Sequence, residues 1–266
     1  MMIAFEKMHA NGDDFIVVDL RHRDVPLPPE LIRRLGDRER GIGFRQLAAI
    51  SRCDDATARL LFWNADGTPL DACGSATRGV ALKLMEESGT DAVTIRTGRG
   101  LLHCSRRGRT QIAVDMGPPL LHWSEIPLAT PMETEILPLV GDPAACSMGN
   151  PHCTFFVEHV EQVDVEVRGR AIETDPLFPE KTNVHFVQIL ARDRIRLRIW
   201  ERGAGISSGS GSCSCAAVVN GIRRGLLAET VEVQCDGGVL GVSWNGTDGV
   251  YLIGPVEPVF RGEWIS

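Results

Sequence analysis

The chain lacks the marks of several common chemistries. Gly12, Gly41 and Gly43 do not form a Gly-x-Gly-x-x-Gly turn after a strand, and there is neither a Gly-x-x-x-x-Gly-Lys-Ser/Thr phosphate loop nor a Gly-x-Ser-x-Gly elbow. Lysine is scarce, and none stands in a setting suited to a pyridoxal Schiff base, so no cofactor is expected. No Cys-x-x-Cys pair occurs, and Cys213 and Cys215 are too close for zinc-finger spacing, so no metal is expected. There is no N-terminal apolar run like a signal peptide and no stretch of about 20 apolar residues to span a bilayer. Excess positive charge is missing too, and a net charge of −7 argues against nucleic acid or membrane as partner. What is there is an ordinary globular composition, 43% hydrophobic and 24% charged over 266 residues. That length fits one large domain or two of roughly 130 residues. Eight cysteines without an export signal read as free thiols in a reducing cytoplasm.

Two stretches look like copies of one device. Cys73-Gly74-Ser75-Ala76 runs into the apolar stretch Val80 to Met85, and Ser210-Gly211-Ser212-Cys213 runs into Ala216 to Val219. Each reads as a helix opening. Its backbone N–H groups suit an anion and lower the pKa of a thiol placed there, which predicts a depressed pKa for Cys73. Glycine lets the backbone approach a ligand without a Cβ. Two such openings could hold one carboxylate, Gly74, Ser75, Gly211 and Ser212 supplying amides, with a proton carrier on either side of its α-carbon.

The rest of the chain supports two halves. Strands are expected at 16–19, 58–63, 92–97, 101–105 and 111–116, and again at 153–158, 184–190, 194–200, 231–234, 239–244 and 250–253. Gly117-Pro118-Pro119 and the Pro-containing stretch to Pro138 read as a linker. Met8…Phe15 and Met148…Phe155 give a weaker echo, Met and Phe standing seven apart. The expected architecture is a duplicated α+β unit, residues 1–117 (with about 256–266 returning) and 118–255, with the site in the cleft between the halves.

Further motifs stand in order along the chain: Lys7-Met8-His9…Asp14-Phe15, Asn64-Ala65-Asp66-Gly67, Ala72-Cys73-Gly74, Gly149-Asn150-Pro151-His152-Cys153, Thr182-Asn183-Val184…Phe186-Val187 and Trp200-Glu201-Arg202-Gly203-Ala204-Gly205. Singly they are weak; in this order and spacing the chain resembles the diaminopimelate epimerase family over essentially its whole length. The resemblance implies two pseudo-symmetric halves, each a mostly antiparallel sheet wrapped on a central helix. It implies pyridoxal-independent epimerisation of LL- to meso-diaminopimelate, which supplies lysine and peptidoglycan precursors. The family's reactive cysteines map to Cys73 and Ser210. His152 and Glu201 match the pair beside the reacting centre, Arg202, Asn64 and Asn183 match the clamp on the far end of the substrate, and Gln46, Asn150 and Asp13 fall in the same pocket. Three positions depart from the family pattern: Ser210 for Cys, Asp13 for Asn and Ser75 for Asn. His9, Cys53, Cys104, Cys146, Cys153 and Cys235 are expected to be structural.

Ser210 leaves three readings open. A hydroxyl is a far weaker acid than a thiol, so Ser210 is plausible as a proton donor and poor as a base. The chain is first an epimerase helped at Ser210 by Glu201, His152 or water; next, a one-base dehydratase, isomerase or other racemase using Cys73; last, a non-catalytic amino-acid binder. The expected partners are a small amino-acid substrate, with room for a homodimer.

Overall fold

The structure is a computed structural model that describes residues 2–23, 25–70 and 73–265; Ala72 of the Ala72-Cys73-Gly74 motif lies outside them. The chain folds as two compact units, one running to Val114 and resuming at Gly254, the other Asp115–Ile253. This boundary lies a few residues before the expected junction at 117/118, because the turn after Asp115 bonds into the second unit. There Gly117 N–H donates to Asp115 Oδ1 (2.9 Å), Met116 N–H to the Val250 carbonyl (2.8 Å), and Val250 N–H back to the Gly117 carbonyl (2.9 Å).

In the first unit β1 (Met2–Ala10) and β2 (Asp13–Asp19) form a hairpin. Asn11 and Gly12 take positive φ, 52° and 79°, the turn an Asn-Gly pair is suited to make. After α1 (Pro29–Gly36) comes β3 (Gln46–Ser51), parallel to β2; then β4 (Ala58–Asn64) antiparallel to β3, with the short β5 (Pro69–Leu70) beside it. The helix α2 (Gly74–Ser88) follows, then β6 (Ala92–Thr97) parallel to β4, β7 (Gly100–Arg106) and β8 (Gln111–Asp115). The return strand Glu257–Ile265 pairs antiparallel with β1.

The second unit repeats this element for element. It runs β9 (Ala144–Ser147), β10 (Pro151–Phe156), α3 (Val165–Glu173), β11 (Asn183–Ala191), β12 (Arg194–Glu201), β13 (Gly205–Ser207), α4 (Gly211–Arg223), β14 (Thr230–Cys235), β15 (Gly238–Ser243) and β16 (Tyr251–Pro255). Parallel joints recur at the same two places, β10 beside β11 and β12 beside β14, and the remaining neighbours are antiparallel.

Each sheet wraps a helix that is buried nearly all round, as an inner helix must be. Residues 76–82 of α2 and 213–221 of α4 are all buried. The apolar side chains Val80, Leu82, Leu84 and Met85 are each worth about 1.5–3 kcal/mol when fully buried. Small residues let the sheets close in. A Cβ on Gly79 would stand 2.5 Å from the Phe15 ring, and one on Gly221 2.3 Å from Leu227 Cδ1.

The stretch expected to be a linker is part of the second unit's core. Ile126, Leu128 and Leu137 are buried with Phe155, Phe186 and Trp200. Backbone bonds from Ala145 N–H to the Thr134 carbonyl (2.7 Å) and from Ala129 N–H to the Leu177 carbonyl (3.0 Å) hold the stretch in place. The eight cysteines are free thiols, and no helix among the described residues is long and apolar enough to cross a membrane.

Candidate active site

The helix openings are built alike. Cys73 caps α2 with extended backbone (φ −145°, ψ 105°) and Ser210 caps α4 likewise (φ −150°, ψ 129°). Four residues on, a hydroxyl bonds back to the cap carbonyl in each: Thr77 Oγ1 to Cys73 O and Ser214 Oγ to Ser210 O, both 2.8 Å. The backbone N–H groups Thr77 to Cys73 O (2.9 Å) and Ser214 to Ser210 O (3.0 Å) complete the match. Gly211 packs closely, and a Cβ there would lie 2.6 Å from Leu252 Cδ2, which would have to shift.

In the first unit the half-buried Cys73 does not carry the depressed pKa expected of it. Loss of water, and then the charge of Asp13, push its thiol up to about 12. The opposing contributions are smaller: the N–H groups of Ala76 (3.5 Å to Sγ) and Ser75, and the charge of Arg78. A helix terminus offers about half a charge, which a buried sulfur beside a full carboxylate outweighs. The two first-half departures from the family pattern meet here, Ser75 bearing on the Asp13 carboxyl. Burial raises the Asp13 pKa, while Ser75 and the charges of Arg45 and Arg78 pull the other way. Neither arginine was singled out from the sequence.

Gln46 and Asn64 face each other across β3 and β4, and both line an open pocket of about 760 Å³ with Gly12, Arg38, Arg45 and Asp66. Gln46 Oε1 is buried with no hydrogen-bond partner, the mark of an acceptor kept for a ligand or water. Asn64 Nδ2 donates to Thr68 Oγ1 (3.0 Å) inside the Asn64–Thr68 turn. His9 Nδ1 is likewise buried and without a partner.

In the second unit the ladder puts His152 opposite Asn183 at the start of β11, with Glu201 at the end of β12. His152 is buried; its Nε2 pairs with Asn150 Oδ1 (3.0 Å) and its Nδ1 with His185 Nε2 (3.1 Å). Burial drives the His185 pKa down to about 3, which keeps that ring neutral. Asn183 donates to the Pro151 carbonyl (2.9 Å) and accepts from Arg202 N–H (3.0 Å), so it orders the loop that carries Arg202. The Arg202 side chain is exposed and donates to the Glu180 carbonyl (3.1 Å). Glu173, unflagged by any motif, holds the same loop, taking Trp200 Nε1 (2.7 Å) and Gly203 N–H (2.9 Å). The Cys235 sulfur lies 3.8 Å from the Ser214 hydroxyl on the first turn of α4.

Cys213 is fully buried on that turn, and its sulfur and a ring nitrogen each of His152 and His185 all lie within 4.8 Å of one another. Among the described residues this is the grouping dense enough to hold a metal ion, although His152 and His185 already bond each other.

Residues 5–121 and 144–259 match the family described as diaminopimelate epimerase. The diaminopimelate epimerase of Acidiphilium cryptum is 48% identical over 263 residues, covering 97% of this chain and 95% of its own. That of Phenylobacterium zucineum is 45% identical over 267 residues, covering 97% and 96%. The chain belongs to the diaminopimelate epimerase family. It is thus an isomerase of the epimerase class. A predicted epimerase from Pseudomonas aeruginosa shares the fold, with a TM-score of 0.70 at 16% identity over 99% of both chains. Within the family frame, the first unit groups Cys73, Asp13 and Ser75, with Gln46 and Asn64 cross-strand partners. The second groups His152, Asn150, Asn183 and Arg202, and Ser210 opens α4.

Proposed function

We propose that the chain converts LL- to meso-diaminopimelate without pyridoxal, taking an α-proton on one face and returning one on the other. The observation that carries the reading is the repeated helix opening, which places Cys73 and Ser210 at equivalent positions of two equivalent units. First-turn amides at such an opening suit the α-carboxylate, since unpaired N–H groups at a helix start favour an anion. Arg202 takes the distal carboxylate through its planar fork. Glu201 answers the α-ammonium.

The resting state is protonated at Cys73, whose thiol is held up to about 12. A bound ammonium offsets the carboxylate that opposes ionisation, so the substrate itself helps to create its base. Proton removal from a weak carbon acid then relies on desolvation and fixed dipoles. The free thiols support a reducing cytoplasm as the working compartment. The exposed apolar residues Val259, Phe260 and Ile265 of the return strand support a homodimer, which light scattering would test.

The test is incubation with LL-diaminopimelate in deuterated water, following α-deuterium and stereochemistry together. Exchange with inversion is expected. Exchange without inversion would mean a one-base enzyme, and neither would mean that diaminopimelate is not the substrate.

A further inference from the structure

The turn that carries Arg202 is held at two successive amides. It closes through Ala204 N–H on the Glu201 carbonyl (3.1 Å), and Gly203 takes a positive φ of 75° within it. Arg202 N–H donates to Asn183 Oδ1 (3.0 Å), and Gly203 N–H donates to Glu173 Oε1 (2.9 Å). Asn183 belongs to a motif that carries the family resemblance. Glu173 belongs to none; it ends α3, 30 positions before the amide it holds. Its reach follows from the helix. Gly169 and Glu173 stand four apart and share a face of α3. Gly169 brings that face against Trp200, since a Cβ there would lie 2.5 Å from Trp200 Cβ. Glu173 then takes Trp200 Nε1–H on Oε2 (2.7 Å). The residue is only 6% exposed, and a carboxylate so buried needs donors on both oxygens. The exposed Lys181, 3.8 Å from Oε1, adds only a weak ion pair. Its neighbour Glu180 supplies the carbonyl on which the Arg202 guanidinium rests (3.1 Å). Glu173 thus stands between the backbone of the Arg202 turn and the loop that supports the Arg202 side chain.

We propose that Glu173 is a positioning residue for Arg202, fixing the turn so that the guanidinium meets the distal carboxylate of the substrate. The proposal rests on the epimerase reading above, which gives Arg202 that carboxylate. Glu173 does not touch the substrate; it works through the Gly203 amide. A long side chain on a fixed backbone has less freedom to lose when it binds, so holding the turn strengthens the grip of the fork. A carboxylate suits the place because it accepts on both oxygens at once. An amide would accept on one and set an N–H group against the other donor. Hydrogen bonds to an ionised acceptor are also the stronger kind.

The test measures KM and kcat for LL-diaminopimelate in the full chain, in Glu173→Gln, in Arg202→Ala and in the double variant. Glu173→Gln should raise KM at least about fivefold, the low end for a buried donor left without its acceptor. Its kcat should stay within about threefold, because a contact far from the reacting carbon holds ground state and transition state alike. In the Arg202→Ala background the same change should move KM by less than about twofold, since residues acting through one network do not add. A residue that serves the fold alone would act equally in both backgrounds, so an equal rise in KM with and without Arg202 overturns the proposal. So does a rise below about fivefold, or a loss that falls on kcat rather than KM. Trp200→Phe keeps the ring but drops the bond to Oε2, and it still reads the proposal if Glu173→Gln fails to fold. It should raise KM at least about twofold with Arg202 present and not without it, and no rise overturns the proposal. If the unaltered chain neither exchanges nor inverts the substrate, the epimerase reading falls, and this proposal with it, before any variant is made.

Discussion

Asp13→Asn should make Cys73 more reactive, although it removes a charged residue from the site. The Asp13 carboxylate opposes ionisation of a thiol already pushed up to about 12. Removing that charge favours the thiolate, so the thiol pKa falls and the thiolate fraction at any pH below it rises. A like charge at close range is worth about 1–3 units. Each unit raises the thiolate fraction about tenfold, but nucleophilicity drops as the thiol becomes more acidic, with a slope of about 0.4–0.5. The net gain is therefore about three- to fourfold per unit, and a three-unit fall gives a few tens. Iodoacetamide labelling between pH 7.5 and 10, resolved by peptide mapping, measures it. In the unaltered chain the Cys73 rate should climb without a plateau up to pH 10; a plateau below about 8.5 would restore the depressed thiol that the helix opening alone suggests. An Asp13→Asn rate equal to or below the original would mean that Asp13 does not govern this sulfur.

Four further outcomes follow from individual contacts. Gln46→Met removes a buried unpartnered acceptor, so the melting temperature should hold or rise while KM worsens; a fall in stability would show that Gln46 is structural. Arg202→Lys keeps the charge but loses the fork, and should weaken substrate binding by about 1.5–3 kcal/mol, read as KM. Cys146, buried and pushed up to about 12, stabilises the fold fully below pH 9, an effect lost as pH rises toward 12; Cys146→Ala should lower stability at pH 7 yet flatten the alkaline slope by up to about 1.4 kcal/mol per pH unit in denaturant titrations. His185 works in the opposite window: its folded pKa of about 3 means that only the unfolded chain takes up the proton below 6.5, so stability is lost from there downward, and His185→Gln should make that acid slope shallower.

The elements that sequence pattern disclosed are those with one wet face or a marked end. The strand at 92–97 is buried and exposed by turns, and the helix openings announce themselves as a small cap followed by Gly-Ser. β3 escaped because Leu47, Ala48, Ala49 and Ile50 are all buried, which erases the period of two. α3 escaped because few of its residues are buried: Val165, Gly169 and Glu173, with Asp164 as its cap. The proline-containing stretch to Pro138 looked loose because it has almost no ladder; its order comes from burying Ile126, Leu128 and Leu137 and from scattered backbone bonds. The Met–Phe echo was real in letters but not in space. Met8 lies in β1 opposite Phe15, whereas Met148 stands in the turn between β9 and β10, beyond Ser147.

The site was legible where residue type implies chemistry and illegible where position overrides it. Cys73 carries the signal of an activated thiol, yet burial beside Asp13 reverses its sign, and no local pattern reports a carboxylate sixty positions away. Asp13 and Ser75 each look like a lone departure from the family pattern until Ser75 is seen to act on the Asp13 carboxyl, which makes them one change. The same logic explains why Ser210 was hard to read alone. Its deficiency as an acid is a property of the hydroxyl, but its place is that of Cys73: an extended cap residue whose carbonyl takes the hydroxyl four residues on, Ser214. A substitution at a proton-carrying position is therefore better judged by what the new group touches than by its own pKa, because proton affinity is shared along a hydrogen bond.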